Sequence, residues 1–344
     1  MEASRLGACA AACAAAALAL TGSIGAQQVT RGDIEPAWSP DGTKIAFARL
    51  VGGHPQIFVM NAAGGGVRAL THGAPDHLDP LWSPDGKTIA YSRLARSHGQ
   101  TLGGEIYSVP AAGGAQRRIT NGAGGYDELL GWSPDGKQLA FERIEAGVGA
   151  VFVTGATGGA AKRLTPNAED DDYLAVWSPD GKKLAFDRTA ANAFGDIYVM
   201  NADGSGARAI ARSPADETDA RWSPDGKKLA FMSDRTQHYE IYVSAATGGA
   251  ARQLTHTAGG ARDPAWSPNG ARIAFATYVG GQWQIGVVGS GGGAARTLTR
   301  SSGDNTNPTW SPDGKKIAFE STRDSESAIY VMNADGSAQS RVGS

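Results

Sequence analysis

Trp82-Ser83-Pro84-Asp85-Gly86, continued by Lys87-Thr88-Ile89-Ala90-Tyr91, is the stretch that decides the fold. Trp38, Trp82, Trp132, Trp177, Trp222, Trp266 and Trp310 each open the same Trp-Ser-Pro-(Asp/Asn)-Gly pentapeptide, at steps of 44, 50, 45, 45, 44 and 44 residues. A period in the forties with several short strands per repeat is the signature of a β-propeller blade. The pentapeptide itself predicts a hairpin turn. Proline presets φ, aspartate tolerates the next position, and glycine supplies the left-handed residue that closes the loop.

Strands are predicted on both sides of that turn. Ile45-Ala46-Phe47, Leu139-Ala140-Phe141, Leu184-Ala185-Phe186 and their counterparts alternate large and small residues, so the alanine face is expected to meet a neighbouring sheet closely. A third strand follows, as in Ile197-Tyr198-Val199, then a Gly-rich turn and a fourth strand ending in pairs such as Leu70-Thr71. The third-strand aliphatic precedes the fourth-strand one by 13 residues in every repeat. The expected fold is therefore all-β, a seven-bladed β-propeller of four-stranded blades over residues 27–344.

The ends raise separate questions. Arg5 precedes an apolar run from Leu6 to Leu20, and Gly25-Ala26 offers small residues for cleavage, so residues 1–26 read as a secretory signal peptide. Both cysteines, Cys9 and Cys13, fall inside it, leaving no disulfide framework in the mature chain. Residues 27–30 and the C-terminal Ser340-Arg341-Val342-Gly343 compete for the outer strand of the last blade. Val29-Thr30 keeps the usual ending, so the N-terminal segment is expected there.

Two repeats are irregular. The second carries an insertion from Leu94 to Gly104 that includes Arg96 and His98. The sixth has Gly286 where others have an aromatic residue, with Trp283 nearby, and the pattern alone offers no account of that exchange.

Chemistry is sparse. With 32 basic and 34 acidic residues there is no basic face for nucleic acid. The Ser-Pro-Asp-Gly serines recur in every turn and lack the spacing of a nucleophile elbow. Ser290-Gly291-Gly292-Gly293 lacks the lysine and hydroxyl of a phosphate loop. One constellation stands out. Three residues before the tryptophans stand Glu35, Asp79, Asp219, Asp263 and Asn307, and five before them stand Asp33, His77, Asp127, Asp172, Glu217 and Asn305. With the Trp strand innermost, these would ring one mouth of the central channel. They could cap hydrated strand ends, receive a basic segment of a partner, or hold a cation with hard carboxylate oxygens. Asp76, His77 and Asp79 are the candidate transition-metal ligands.

The repeated Pro-x-Trp-Ser-Pro-Asp-Gly-Lys-x-Ile-Ala-Phe, with Ile-Tyr-Val-Met-Asn-Ala-Asp-Gly and Arg-x-Leu-Thr, resembles the WD-like propeller repeat of the TolB family. That family's members are periplasmic partners in the Tol–Pal cell-envelope system, with an α/β domain ahead of a six-bladed propeller. This sequence differs in having seven repeats and no such domain ahead of Arg31. The resemblance implies a periplasmic or secreted, non-catalytic monomer without cofactor or stable membrane span. Its expected partner is a protein or peptide of the cell envelope. The binding residues expected are Asp33, Glu35, Asp79, Asp127, Asp172, Glu217, Asp219, Asp263, Asn305 and Asn307. The alternative is a metal-dependent propeller lyase or lactonase acting at the same mouth.

Overall fold

A computed structural model describes residues 32–97, 100–122, 125–166, 170–190 and 194–343. The expected signal peptide, residues 27–30 and His98 lie outside the described residues. Every regular element among the described residues is a β-strand, and consecutive strands form antiparallel meanders of four. Five meanders are separate sheets; the second and third join into one eight-stranded sheet through a parallel pairing of Gly104 with Tyr126. Among the described residues no helix is long and apolar enough to cross a membrane. The meanders are called units here and numbered by their tryptophans.

The first unit shows the plan: inner strand Asp33–Trp38, then Lys44–Val51, His54–Asn61 and the short outer Arg68–Ala69. Its hairpin is built as the pentapeptide requires. Ser39 Oγ donates to Asp41 Oδ1 at 2.6 Å and accepts from the Lys44 amide at 2.9 Å, while the Gly42 amide reaches the Ser39 carbonyl at 2.8 Å. Gly42 has φ +69°, where a side chain would be strained.

The recurrence of tryptophan has a second cause. In every unit but the fourth, where Trp177 Nε1 has no partner among the described residues, its indole N–H donates to a backbone carbonyl of the preceding unit: Trp82 to Ala37 at 3.0 Å, Trp266 to Arg221 at 3.0 Å, and Trp38 to Thr309 at 3.2 Å. The last bond ties the first unit to the seventh, so the ring closes. Apolar packing follows the same path. Ile45, Phe47 and Met60 pack against Ala318, Ile329 and Val331 of the seventh unit, while Ala46 and Ala48 receive Ile89 and Tyr91 of the second. The small-residue face meets the large face of the next sheet, as the alternation predicted.

The outer strand of the seventh unit comes from the C-terminal segment. Ser340–Arg341 pairs with Val331 and Tyr330, and Val342 is buried behind it. The C-terminal segment thus holds the place beside the third strand, while residues 27–30, expected there, lie outside the described residues. Length explains it: the segment keeps the 13-residue spacing from Ile329, and Arg49 of the first unit donates to the Gly343 carbonyl.

The sixth unit's glycine also finds its reason. In other units the second and third strands bring two rings together, as with Phe47 and Phe58 at 5.8 Å. A Cβ on Gly286 would lie 2.9 Å from Phe275 Cζ, so the Phe275 ring occupies the space that a side chain there would need.

Candidate functional site

The two acidic series of the sequence part company in three dimensions. Residues five before the tryptophan are buried between strands, and most are matched by an arginine. Arg49 forks onto Asp33 at 2.6 and 2.7 Å, and Arg143 and Arg188 fork onto Asp127 and Asp172 at 2.6 and 2.9 Å. Arg235 holds Glu217 at 2.6 Å, and Arg323 donates to Asn305 Oδ1 at 2.8 Å. Each guanidinium also lies over an aromatic ring, Arg323 at 4.2 Å from Tyr330 and Arg235 at 4.4 Å from Tyr242. Asp33, Asp127, Asp172, Glu217 and Asn305 are thus each engaged by an arginine. Their bonding capacity is spent inside the sheets, where a bidentate, desolvated pair is structural.

The metal candidates are dispersed as well. Asp76 accepts from His54 Nδ1 at 2.9 Å, a contact between neighbouring units. His77 points to the other face of the strand, edge-on to Tyr91 at 5.3 Å, where burial pushes its pKa down to about 4. Asp79 stands elsewhere, on the inner ring. Among the described residues no group of three His, Cys, Asp or Glu side chains could hold a metal ion, which corrects the Asp76, His77, Asp79 expectation.

Residues three before the tryptophan do come together. The inner strands adjoin in succession round the ring, the first also meeting the seventh. In six of them a β-bulge places Glu35, Asp79, Leu174, Asp219, Asp263 or Asn307 at φ between 50° and 58°. A left-handed non-glycine residue is costly and needs compensation. It comes from acceptors of a neighbouring unit. The Glu35 amide donates to Glu320 Oε1 at 2.8 Å, Asp79 to Glu35 Oε2 at 2.7 Å, Asp219 to Asp187 Oδ2 at 2.8 Å, and Asn307 to Asp263 Oδ2 at 3.3 Å.

Three members of this ring escaped the sequence reading. Glu128 stands one residue earlier than its counterparts because the third unit has a different register shift. Asp187 and Glu320 follow the second-strand phenylalanine, as Glu142 does in the third unit, where the remaining units carry Ala48, Ser92, Met232 or Ala276. A charged residue at a position that four units leave uncharged was the available signal. A further series, Asp171, Asp216 and Asp304, was also missed; these accept from Gly149, Gly195 and Trp283 amides of the preceding unit at 2.6–2.8 Å.

Charge is unevenly distributed round the ring. Glu320, Glu35, Asp79 and Glu128 form an arc across units seven, one, two and three, and among the described residues none of them has an ion-pair partner. Burial, and then the Asp79 charge, raise Glu35 well above the usual carboxylate range. Burial brings Asp79 up to about 6, and burial with the charge of Asp79 brings Glu128 to about 7. Glu320 is raised mainly by burial. On the far side Arg221 pairs with Asp219 at 2.6 Å, and Arg262 stands 3.6 Å from Asp263. The arc is thus a half-buried cluster of acids with no ion-paired cation among the described residues, and a positive group would stabilise its ionised form. A cleft of about 490 Å³ at the hairpin end, lined by Ser83, Asp85, Arg117, Trp132 and Asp135, shares no residue with it.

Comparison with known proteins follows the fold. Residues 24–102, 173–263 and 256–344 match the model of the TolB beta propeller domain. No curated protein sequence matches the chain. Among solved structures, a putative TolB from Agrobacterium tumefaciens is similar at 25% identity and a TM-score of 0.57, covering 78% of this chain and 94% of that one. An oligogalacturonate lyase from Vibrio parahaemolyticus shares 16% identity with a TM-score of 0.72, covering 88% and 90%. A puromycin-hydrolyzing peptidase from Mycobacterium tuberculosis shares 15% identity with a TM-score of 0.73, covering 91% of this chain but 53% of its own. Binding proteins and enzymes both use this scaffold, so function has to be argued from the inner ring.

Proposed function

The chain belongs to the TolB β-propeller family, and from that premise we propose that it is a non-catalytic binding scaffold of the cell envelope, exported to the periplasm or beyond. It takes a protein or peptide partner by a cationic group, held on the arc of Glu35, Asp79, Glu128 and Glu320. The observation that carries this reading is the unpaired arc itself. Four acids from four units come together although no single turn requires it, and ionising them together is opposed by burial and by one another's charge, a cost that a bound positive group would offset. Asp219 and Asp263 complete the ring beside Arg221 and Arg262, and Asn307 carries no charge.

The test compares wild type with the Glu35→Gln, Asp79→Asn, Glu128→Gln triple variant in pull-downs from envelope extract. Carboxamides keep the oxygen acceptors that the bulge amides need, so the fold is retained. The reading expects a partner captured by wild type, released by salt, and lost by the variant. Capture unaffected by the triple change would reject it. A divalent metal that co-purifies stoichiometrically, together with turnover of an anionic polysaccharide, would favour the lyase alternative.

A further inference from the structure

The sixth unit departs from the repeat in a way the proposed binding role does not yet use. Ala261 stands where five other units hold Asp, Glu or Asn, and Thr277 stands where four hold an arginine. The guanidinium of this unit comes instead from the inner strand. Arg262 lies 4.0 Å from the centroid of Trp283, and Tyr278 packs edge-on against the same indole at 5.4 Å.

Arg262 differs from its counterparts in what it bonds. Arg49, Arg143 and Arg188 spend two donors each on a carboxylate. Arg262 is only 8% exposed, yet its Nε–H has no acceptor. Asp263 Oδ2, at 3.6 Å, is close enough for charge attraction and too far for a hydrogen bond. A buried donor without an acceptor costs stability until something accepts from it. The position fits the ring: Arg262 adjoins Asp263 in sequence and its charge is felt at Glu320, which belongs to the acidic arc.

We infer that Arg262, backed by Trp283, receives a carboxylate of the same ligand whose cationic group the arc holds. The inner ring then selects a segment that carries both charges. A planar guanidinium is suited to that task because its fork matches a carboxylate, and the indole face holds it in orientation without competing for its donors. This inference rests on the acidic arc being a cation site.

The test uses two small probes that differ at one group. Nα-acetyl-lysine carries an ammonium and a carboxylate; Nα-acetyl-lysinamide carries the ammonium alone. Titrations of the full chain by NMR should show the acid binding about tenfold more tightly than the amide. Arg262→Gln should remove that preference while the amide still binds, as tightly or more so because a positive charge near Glu320 is gone. In the wild type, the Arg262 Nε–H resonance should shift with the acid and stay still with the amide, which keeps the inference testable if the variant fails to fold. Equal affinity of wild type for both probes, or a preference that survives Arg262→Gln, overturns the role of Arg262 and leaves the arc reading standing. Failure of both probes to bind overturns the arc reading and the inference with it.

Discussion

The backbone amide of Asp79 donates to Glu35 Oε2 at 2.7 Å across the boundary between the first and second units. One carboxylate thereby supports a left-handed bulge in its neighbour and pays the electrostatic cost of standing beside Asp79. Removing its charge while keeping its oxygen separates those two effects.

Stability should therefore depend on pH in an identifiable direction. Asp79 rises from 3.8 to about 6 on folding, and Glu128 from 4.5 to about 7. For an acid whose folded pKa is raised, the native state binds more protons than the unfolded chain between those values, so stability falls as pH rises through the window. The unfolding midpoint should climb as pH drops from about 7.5 to about 5. His77 works the other way, since its pKa falls from 6.5 to about 4 and its contribution is lost on acidification. Comparing wild type with Asp79→Asn, Glu128→Gln isolates these two carboxylates: the variant should be steadier near neutrality and show a smaller climb, the remainder coming from Glu35, Glu320 and Asp187, which burial also raises. Parallel pH profiles would contradict the electrostatic reading of the arc.

The buried forks should be costly to break singly. Arg143 and Asp127 are both buried and bidentate. Arg143→Met should destabilise the fold by about 3–5 kcal/mol because it strands the Asp127 charge. Arg143→Met with Asp127→Asn should cost less than the arginine change alone. A denaturant-unfolding double-mutant cycle with additive losses would show that the pair is uncoupled.

Gly181 closes the fourth unit's hairpin at φ +68°. Gly181→Val should lower stability by about 1–3 kcal/mol, since a β-branched residue is strained there. An unchanged midpoint would mean that the turn relaxes into another form.

The C-terminal edge offers a fourth stability test. Deleting Gln339–Ser344 removes the outer strand beside Tyr330, the buried Val342 and the Arg49 contact to Gly343. The melting temperature should fall by several degrees, about what the loss of one buried aliphatic and one edge pairing implies. A chain that melts as before would show that the edge contributes nothing to closure.

The strands, the hairpins and the all-β repeat were legible because each is written locally: a turn glycine, a period-2 face, a constant 13-residue interval. The division of labour among the acids was not. Asp33 and Glu35 are two residues apart and chemically alike, yet a bulge sends one into an arginine fork and the other to the ring. Glu35 and Glu320 are separated by 285 residues, so only closure shows that they meet. The arginines at Arg49, Arg143 and Arg188 follow the second-strand phenylalanine at a fixed distance, and pairing them with the acids of the inner strand would have exposed the structural series. Which terminus holds the last edge depended on a two-residue pairing too short to carry a pattern.

The central claim is that the arc of Glu35, Asp79, Glu128 and Glu320 holds a positive group. The most direct measurement is the dissociation constant of Nα-acetyl-lysinamide for wild type and for the Glu35→Gln, Asp79→Asn, Glu128→Gln variant, at about 50 mM and about 500 mM salt. The account predicts measurable binding to wild type that weakens with salt. It predicts a loss of about tenfold or more in the variant, with no loss of melting temperature. Equal affinities for the two proteins, or an affinity indifferent to salt, would contradict it.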